Sequence, residues 1–263
     1  QEGKLKIDDQ VHSYLPSFPY KDITIRHLLN HTHGMIEYFD WINDTLKIND
    51  TIGNDQLLVL LSKYKPALNS VPGEKFNYCN TGYAVLSKVL ETISGVPYAA
   101  LLKSKITKPL KLENTYVQTV KMSNSPKNRV YGMQYKEGRW NTYDLTTLDE
   151  VVGDGNIYST VYDLQKWDQA LRDGKVLKPE ILNEAYTPSV LIEKPKMVYG
   201  LGWIINEPGK KVSHSGSWNG FKNNMVRDLQ NGYTLISLSN GTSGITSYKL
   251  LDQFEKALSN LKQ

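Results

Sequence analysis

Pro72-Gly73-Glu74-Lys75-Phe76-Asn77-Tyr78-Cys79-Asn80-Thr81-Gly82-Tyr83-Ala84-Val85-Leu86 is the stretch on which the reading of this chain turns. Pro72-Gly73 marks a turn. The apolar positions Ala84, Val85, Val89, Leu90 and Ile93 then keep the spacing of one helical face until Gly95 breaks it. Between turn and helix, Tyr78 and Asn80 stand two residues apart, and on a loop-like backbone both can address one cleft. A phenol titrates at about 10, so Tyr78 is a base only where neighbouring positive charge stabilises its phenolate. Asn80 can donate its amide to a carbonyl while accepting from a lysine. The same pair also fits a plainer role, a helix-capping asparagine beside a core tyrosine.

Composition narrows the surroundings. The chain has 263 residues, long enough for one large α/β domain or two cooperating subdomains, and 40% of them are hydrophobic. With 31 Lys plus Arg against 27 Asp plus Glu, the net charge of +4 favours solubility and gives no basic footprint for nucleic acid. No apolar run reaches the roughly 18 residues of a membrane span. The lone Cys79 excludes an intrachain disulfide framework and a cysteine-built metal site.

Outward from the opening stretch, Thr24 is expected to cap a helix carrying Ile25, Leu28 and Leu29 that ends at Gly34, and a second helix is expected over Asp55 to Tyr64. Leu110 to Tyr143 reads as irregular or short-stranded. Tyr162 to Trp167 begins another helix, with Ser159 or Thr160 at its start and Gly174 near its end. Leu201 to Ile205, Lys210 to His214, Phe221 to Asp228 and Tyr233 to Leu238 read as antiparallel strands. Their turns are Pro208-Gly209, Trp218-Asn219-Gly220 and Asn231-Gly232, the last being the clearest hairpin signal. A final amphipathic helix over Tyr248 to Leu261 carries Leu250, Leu251, Phe254, Leu258 and Leu261, enough to cover a sheet face.

His214-Ser215-Gly216-Ser217 is the second chemically suggestive element. Gly216 permits close backbone approach, the Ser217 N–H can polarise a carbonyl, and His214 with Ser215 can bind a carboxylate or help pass a proton. Taken alone, it is also compatible with a polar hairpin edge. His27, His31 and His33 raise a metal site as an alternative, but Asn30, Thr32 and Gly34 suggest a helix ending there, so hydrogen bonding and helix termination are the expected roles. Asp149, Glu150 and Asp154 read as polar loop residues and not as a glycosidase carboxylate pair.

Together these segments resemble the penicillin-binding protein and class C β-lactamase superfamily of serine hydrolases. Residues 23 to 36, Ile-Thr-Ile-Arg-His-Leu-Leu-Asn-His-Thr-His-Gly-Met-Ile, are similar to a segment of that family, and residues 72 to 86 to the segment bearing its second motif. Gly153-Asp154-Gly155-Asn156-Ile157-Tyr158-Ser159-Thr160 resembles a Gly-rich region leading into a helix. Residues 213 to 221 resemble the third motif, with His214 where Lys is frequent. The resemblance runs over nearly the whole chain in family order.

It implies a β-lactamase/transpeptidase-like α/β (α+β) fold in one domain over residues 1 to 263, an antiparallel sheet flanked by helices. A mainly helical region is expected over residues 23 to 188, with strands and the C-terminal helix over residues 199 to 263. It implies catalytic roles for Tyr78, Asn80 and His214, substrate or oxyanion contacts from Ser215, Gly216 and Ser217, and no cofactor or metal. Tyr78 would help activate a serine and return the proton to the leaving group. The family's Ser-x-x-Lys is expected about 15 to 20 residues before a Gly-Lys-Leu-x-Leu-Asp-Asp segment, here residues 3 to 9, and so ahead of Gln1.

Ser62-Lys63-Tyr64-Lys65 and Ser259-Asn260-Leu261-Lys262 match that pattern formally but sit in the wrong context. The chain is therefore expected to lack the N-terminal strands and nucleophile helix and to be inactive alone. Its parent reaction is hydrolysis or transfer of an amide or ester through an acyl-serine. The alternative is a non-catalytic ligand-binding protein that keeps the cleft. Expected ligands are a small peptide, β-lactam or ester, and the family suggests a periplasmic or secreted location. An open edge at Tyr233 to Ser239, with incompletely packed Leu235, Ile236 and Leu238, is expected to favour self-association.

Overall fold

The computed structural model describes every residue except 123, 190–197, 243–246 and 261–263. Its sheet has the order β5(Ile204–Glu207)-β6(Lys211–Trp218)-β7(Phe221–Asp228)-β8(Thr234–Ser239), antiparallel throughout. The helices are α1(Ile25–Leu29), α2(Tyr38–Asp40), α3(Asn54–Tyr64), α4(Thr81–Ser94), α5(Tyr98–Leu102), α6(Val161–Arg172), α7(Pro179–Ala185) and α8(Ser247–Asn260). α2 and α5 each widen into a π-turn, over Trp41–Leu46 and Lys103–Thr107. Two small antiparallel pairs complete the described structure: β1(Tyr116–Val117) with β4(Ile157–Tyr158), and the hairpin β2(Met133–Lys136) with β3(Arg139–Thr142). This is a mixed α/β architecture of the β-lactamase/transpeptidase kind. No single described helix is long and apolar enough to cross a membrane.

Local chemistry explains most boundaries. Thr24 caps α1 by accepting from the His27 N–H, and Thr160 caps α6 by accepting from the Asp163 N–H. α4 ends on Gly95 at φ +71°, the left-handed conformation that glycine takes without strain. Its apolar face, Ala84, Val85 and Val89, joins Ile25, Leu28, Leu57 and Leu61 in the main core. A smaller cluster of Ala185, Tyr186, Ile205 and Val212 sits between α7 and the sheet.

Several expectations need correction. α1 stops at Leu29, not at Gly34, because His31 takes φ +57° and turns the chain. β5 begins at Ile204 instead of Leu201, since the Leu201 N–H donates to the Ala185 carbonyl and Gly202 turns at φ +80°. β6 runs on through Trp218, which places His214 inside a strand instead of at its end. The Asn231-Gly232 turn is wider than a two-residue hairpin because the Asp228 carboxylate accepts from the Asn231 N–H at 2.6 Å. α8 lies against β7 and β8, but Phe254 is 52% exposed and Leu261 falls outside the described residues, as do two residues of the Ser259-to-Lys262 match. Among the described residues β8 pairs with β7 alone, and Leu235 and Ile236 are half-buried while Leu238 is exposed.

A buried ionic knot fastens α6 to the sheet. Arg227 on β7, 1% exposed, places Nε 2.5 Å from Asp168 of α6 and donates to the Tyr186 hydroxyl. Arg172 holds the other Asp168 oxygen at 2.8 Å and donates to the Tyr233 carbonyl and Thr234 hydroxyl. Burial pushes the Asp168 carboxyl up, but Arg172 and Arg227 outweigh it and leave the pKa below the ordinary 3.8. Replacing Arg227 with Ala strips Asp168 of one partner inside the protein, and urea unfolding is expected to show a loss of about 3 to 5 kcal/mol. A change below about 1 kcal/mol contradicts this role.

Candidate active site

The second-motif loop is strapped to the segment after α1. Gly73 N–H donates to the Thr32 carbonyl at 2.8 Å and Asn77 N–H to the His31 carbonyl at 2.9 Å. Nδ1 of His31 lies 3.1 Å from both the N–H and the carbonyl of Cys79. The His31 ring packs on Tyr78 with centroids 4.0 Å apart and lies edge-on to Tyr199 at 4.9 Å. Beneath it, the Met35 N–H donates to Nδ1 of His33, and the far side of that ring meets α4 at Gly82. A Cβ at Gly82 would stand 2.5 Å from His33 Nε2, so only glycine allows this approach.

Asn80 is oriented from behind. Its N–H and its Nδ2 both donate to Glu37 Oε2, at 2.9 and 2.8 Å. This leaves Oδ1 and one amide hydrogen for other partners. Asn80 sits at the N-cap of α4 but makes no side-chain cap bond, and the Tyr78 side chain is 43% exposed with its ring packed on His31.

Tyr78, Asn80, Tyr83, Gly153, Asp154, Tyr199, Gly202 and His214 line one cavity of about 220 Å³. Three of the sequence-derived residues, Tyr78, Asn80 and His214, therefore meet. Ser215, Gly216 and Ser217 do not line this cavity. Strand alternation turns the Ser215 and Ser217 side chains to the face opposite His214. β5 pairs with β6 only as far as Ser213, so the stretch 214–218 has β7 on one side and no sheet strand on the other among the described residues.

The electrostatics of the cavity differ from the sequence expectation. Burial pushes the Tyr78 phenol up to about 12, and the carboxylates of Asp154 and Glu37 add to the rise. Tyr78 is thus a proton donor at neutral pH, not a phenolate. Asp154 accepts from the Tyr38 hydroxyl at 3.0 Å, and burial pushes its carboxyl up to about 7, with Glu37 and Asp149 adding to the rise. His214 Nδ1 is 2.8 Å from the Ser215 carbonyl, and Nε2 is 2.8 Å from the Tyr199 hydroxyl. Burial lowers the imidazole below its ordinary 6.5.

Asp154, Tyr199, Tyr83 and Glu37 were not singled out from the sequence. Asp154, read as a polar loop residue, does lie in the glycine-rich loop between Gly153 and Gly155, where it also lines the cavity. Tyr199 stands before Gly200-Leu201-Gly202, a turn that brings it back onto the sheet. Glu37 and Tyr83 had no local signal. Asp149 and Glu150 keep structural contacts: Asp149 accepts from Thr146 and from Trp218 Nε1, Glu150 from the Lys121 N–H. His27 belongs to the α1 cap. No group of three or more His, Cys, Asp or Glu side chains is arranged to hold a metal ion among the described residues. Ser62 lies on α3 and is not a cavity residue.

A helical layer, an antiparallel sheet and a cavity lined by Tyr78, Asn80 and His214 make up the β-lactamase/transpeptidase-like architecture. The family described as Beta-lactamase matches residues 1–258, and the chain belongs to it. Penicillin-binding protein 4* of Bacillus subtilis is 33% identical over 254 residues, covering 91% of this chain and 56% of that protein. A teichoic acid D-alanine hydrolase of Staphylococcus aureus is 29% identical over 184 residues, 70% of this chain and 44% of that protein. The D-stereospecific amidohydrolase from Streptomyces sp. superposes with TM-score 0.80 at 26% identity, covering 95% of this chain and 79% of that one. The octameric penicillin-binding protein homologue from Pyrococcus abyssi gives TM-score 0.81 at 26% identity, covering 98% and 61%. The chain thus spans 56% of the length of two curated relatives, the second being a putative penicillin-binding protein, PbpX, of B. subtilis.

The strap predicts an acid sensitivity. Burial holds His31 down to about 3 and His33 to about 4, against 6.5 when exposed. Between pH 6.5 and 4 the unfolded chain takes up protons that the folded one refuses. The stability from neutral burial is full above pH 6.5 and falls by up to about 1.4 kcal/mol per histidine per pH unit below it. Urea midpoints at pH 7 and pH 5 in Asp154→Asn, which removes the raised carboxyl that takes up a proton over this window and opposes the fall, check this, and equal midpoints contradict it.

Proposed function

We propose that the cavity is the acyl-transfer site of a serine hydrolase that cleaves an amide or ester through an acyl-serine. The observation that carries this reading is the convergence of Tyr78, Asn80 and His214 on one cavity from two distant segments of the chain. Among the described residues no Ser-x-x-Lys lies beside it, so in this reading the nucleophile comes from another part of the whole protein, and residues 1–263 alone are expected to form no acyl-enzyme. The serine oxygen adds to the substrate carbonyl as its proton passes to the lysine of the Ser-x-x-Lys that this reading brings in, and that lysine returns the proton to Tyr78 once the phenol has protonated the leaving group. The leaving amine or alcohol departs with a proton from the Tyr78 hydroxyl. Water then adds to the acyl carbon and the serine is released with its proton restored. Asn80, held by Glu37, orients the acyl group. The Ser217 N–H, on the stretch of β6 beyond the end of β5, and the N–H of the nucleophilic serine polarise the carbonyl. Gly216 admits the substrate backbone, and the Ser215 hydroxyl on the other face supports the strand.

Support from relatives is of the same kind: the names of those most similar to the chain include penicillin-binding proteins, a D-alanine hydrolase and a D-stereospecific amidohydrolase. The whole protein is expected to take up one fluorophosphonate on a serine, read by intact mass. Tyr78→Phe is expected to slow hydrolysis of an activated ester by about 10²- to 10⁴-fold while circular dichroism is unchanged. Turnover by Tyr78→Phe equal to that of the natural protein contradicts the assignment.

A further inference from the structure

The hairpin of β2 and β3 turns an aromatic face to solvent. Lys136 pairs with Arg139 across the two-residue turn Glu137-Gly138, whose φ values of +55° and +76° suit a tight type I′ hairpin. At its root one face of the hairpin meets the body: a Cβ on Gly132 would stand 2.9 Å from the Phe221 ring and 3.1 Å from the Gly220 Cα. Side-chain alternation then places Tyr131, Met133 and Tyr135 of one strand, with Trp140 and Thr142 of the other, on the face that points away. Tyr131, Tyr135 and Trp140 are each half exposed or more. Three such rings on one face mark an interaction surface.

Charge is concentrated in the same segment. Residues 121–139 carry five of the 31 basic side chains and one of the 27 acidic ones, so the rest of the chain holds 26 of each sign and the net charge of +4 resides here. Arg129 is bonded to Asp144 and stacks on the Tyr131 ring at 4.3 Å, and Lys136 has Glu137 at 3.9 Å. Lys121, Lys127, Lys136 and Arg139 are all exposed. Two observations decide between partners. Tyr135 and Trp140 meet across the strands at 5.5 Å with their planes 67° apart, so they form no flat platform on which a sugar ring would stack. A second copy of the chain would set like charge against like. A bilayer with anionic headgroups suits both features: tyrosine and tryptophan rings settle at the headgroup level without needing to be coplanar, and lysine and arginine beside them meet negative charge.

We propose that the outer face of the β2–β3 hairpin is a docking surface for an anionic lipid bilayer. Tyr131, Tyr135 and Trp140 enter the headgroup layer, while Lys136 and Arg139 at the tip, with Lys121 and Lys127 in the loop that leads to the hairpin, meet the lipid phosphates. The contact is peripheral, since a strand of four residues reaches only about 13 Å. It is independent of the chemistry in the cavity, whose lining residues do not include the hairpin.

The test uses the whole protein and co-sedimentation with large vesicles of phosphatidylcholine, alone or in equal mixture with phosphatidylglycerol. The protein is expected to partition onto the mixed vesicles at least about tenfold more strongly than onto phosphatidylcholine, and less so as salt rises. Lys136→Gln with Arg139→Gln is expected to weaken binding to the mixed vesicles by about tenfold, and Tyr135→Ser with Trp140→Ser by about tenfold or more, with circular dichroism unchanged. Brominated lipid in the mixed vesicles reads the contact directly. It is expected to quench the tryptophan emission of the natural protein, and most of that quenching should vanish in Trp140→Phe, which keeps a ring and should still bind. Absence of binding, equal binding to the two kinds of vesicle, variants that bind like the natural protein, or quenching that survives Trp140→Phe overturns the proposal. A Trp140-dependent dimer, or binding of a soluble neutral polysaccharide, in place of vesicle binding overturns it as well.

Discussion

The strap between residues 31–33 and the loop 72–80 is the constraint on which the site depends. A loop that presents Tyr78 and Asn80 to a cavity must be held without a helix or sheet of its own. Here two backbone hydrogen bonds, the His31 imidazole on Cys79 and the stacking of that ring on Tyr78 do so together. The cost is a buried ring in the left-handed region at φ +57°, with Nε2 lacking a hydrogen-bond partner among the described residues. The close packing of His33 on Gly82 ties the strap to the start of α4. Position of the phenol is therefore set by the core and not by the loop.

The opposite wall is held by a different device. His214 lies within β6, a strand bonded to β7 along its whole length, and it is oriented by one buried hydroxyl. The Arg227–Asp168–Arg172 knot fixes that sheet to α6, immediately before which the cavity-bearing segment 153–160 ends. Two walls built on separate supports leave a cavity whose width is set by how helical layer and sheet pack, while its charge is set by a few side chains. The first is a property of the family. The second depends here on His214 and Asp154.

Much of this was legible in the sequence where the governing contacts are local. The Gly95 stop of α4, the limits of β7 and a cap at Ser159 or Thr160 follow from periodicity and end chemistry within a few residues. Tyr78, Asn80 and His214 stood out because their neighbours are unusual: a turn, a loop and a glycine. The failures are long-range. Gly34 looked like a helix stop, yet the chain had already turned at His31 to reach Cys79, 48 residues away. The Asn231-Gly232 pair looked like a tight hairpin, but the Asp228 carboxylate claims the Asn231 N–H and widens the turn. Glu37, Asp154 and Tyr199 become site residues only when α2, the glycine-rich turn and the strand entry are brought together. No spacing rule reports that meeting, and the raised pKa of Tyr78 follows from it.

The most direct test of the central claim is a crystal structure of the whole protein after reaction with a fluorophosphonate. The account predicts a phosphonylated serine whose adduct lies in the cavity between Tyr78 and His214, within hydrogen-bonding distance of Asn80. An adduct on a serine outside this cavity, with Tyr78 and Asn80 left unengaged, contradicts it.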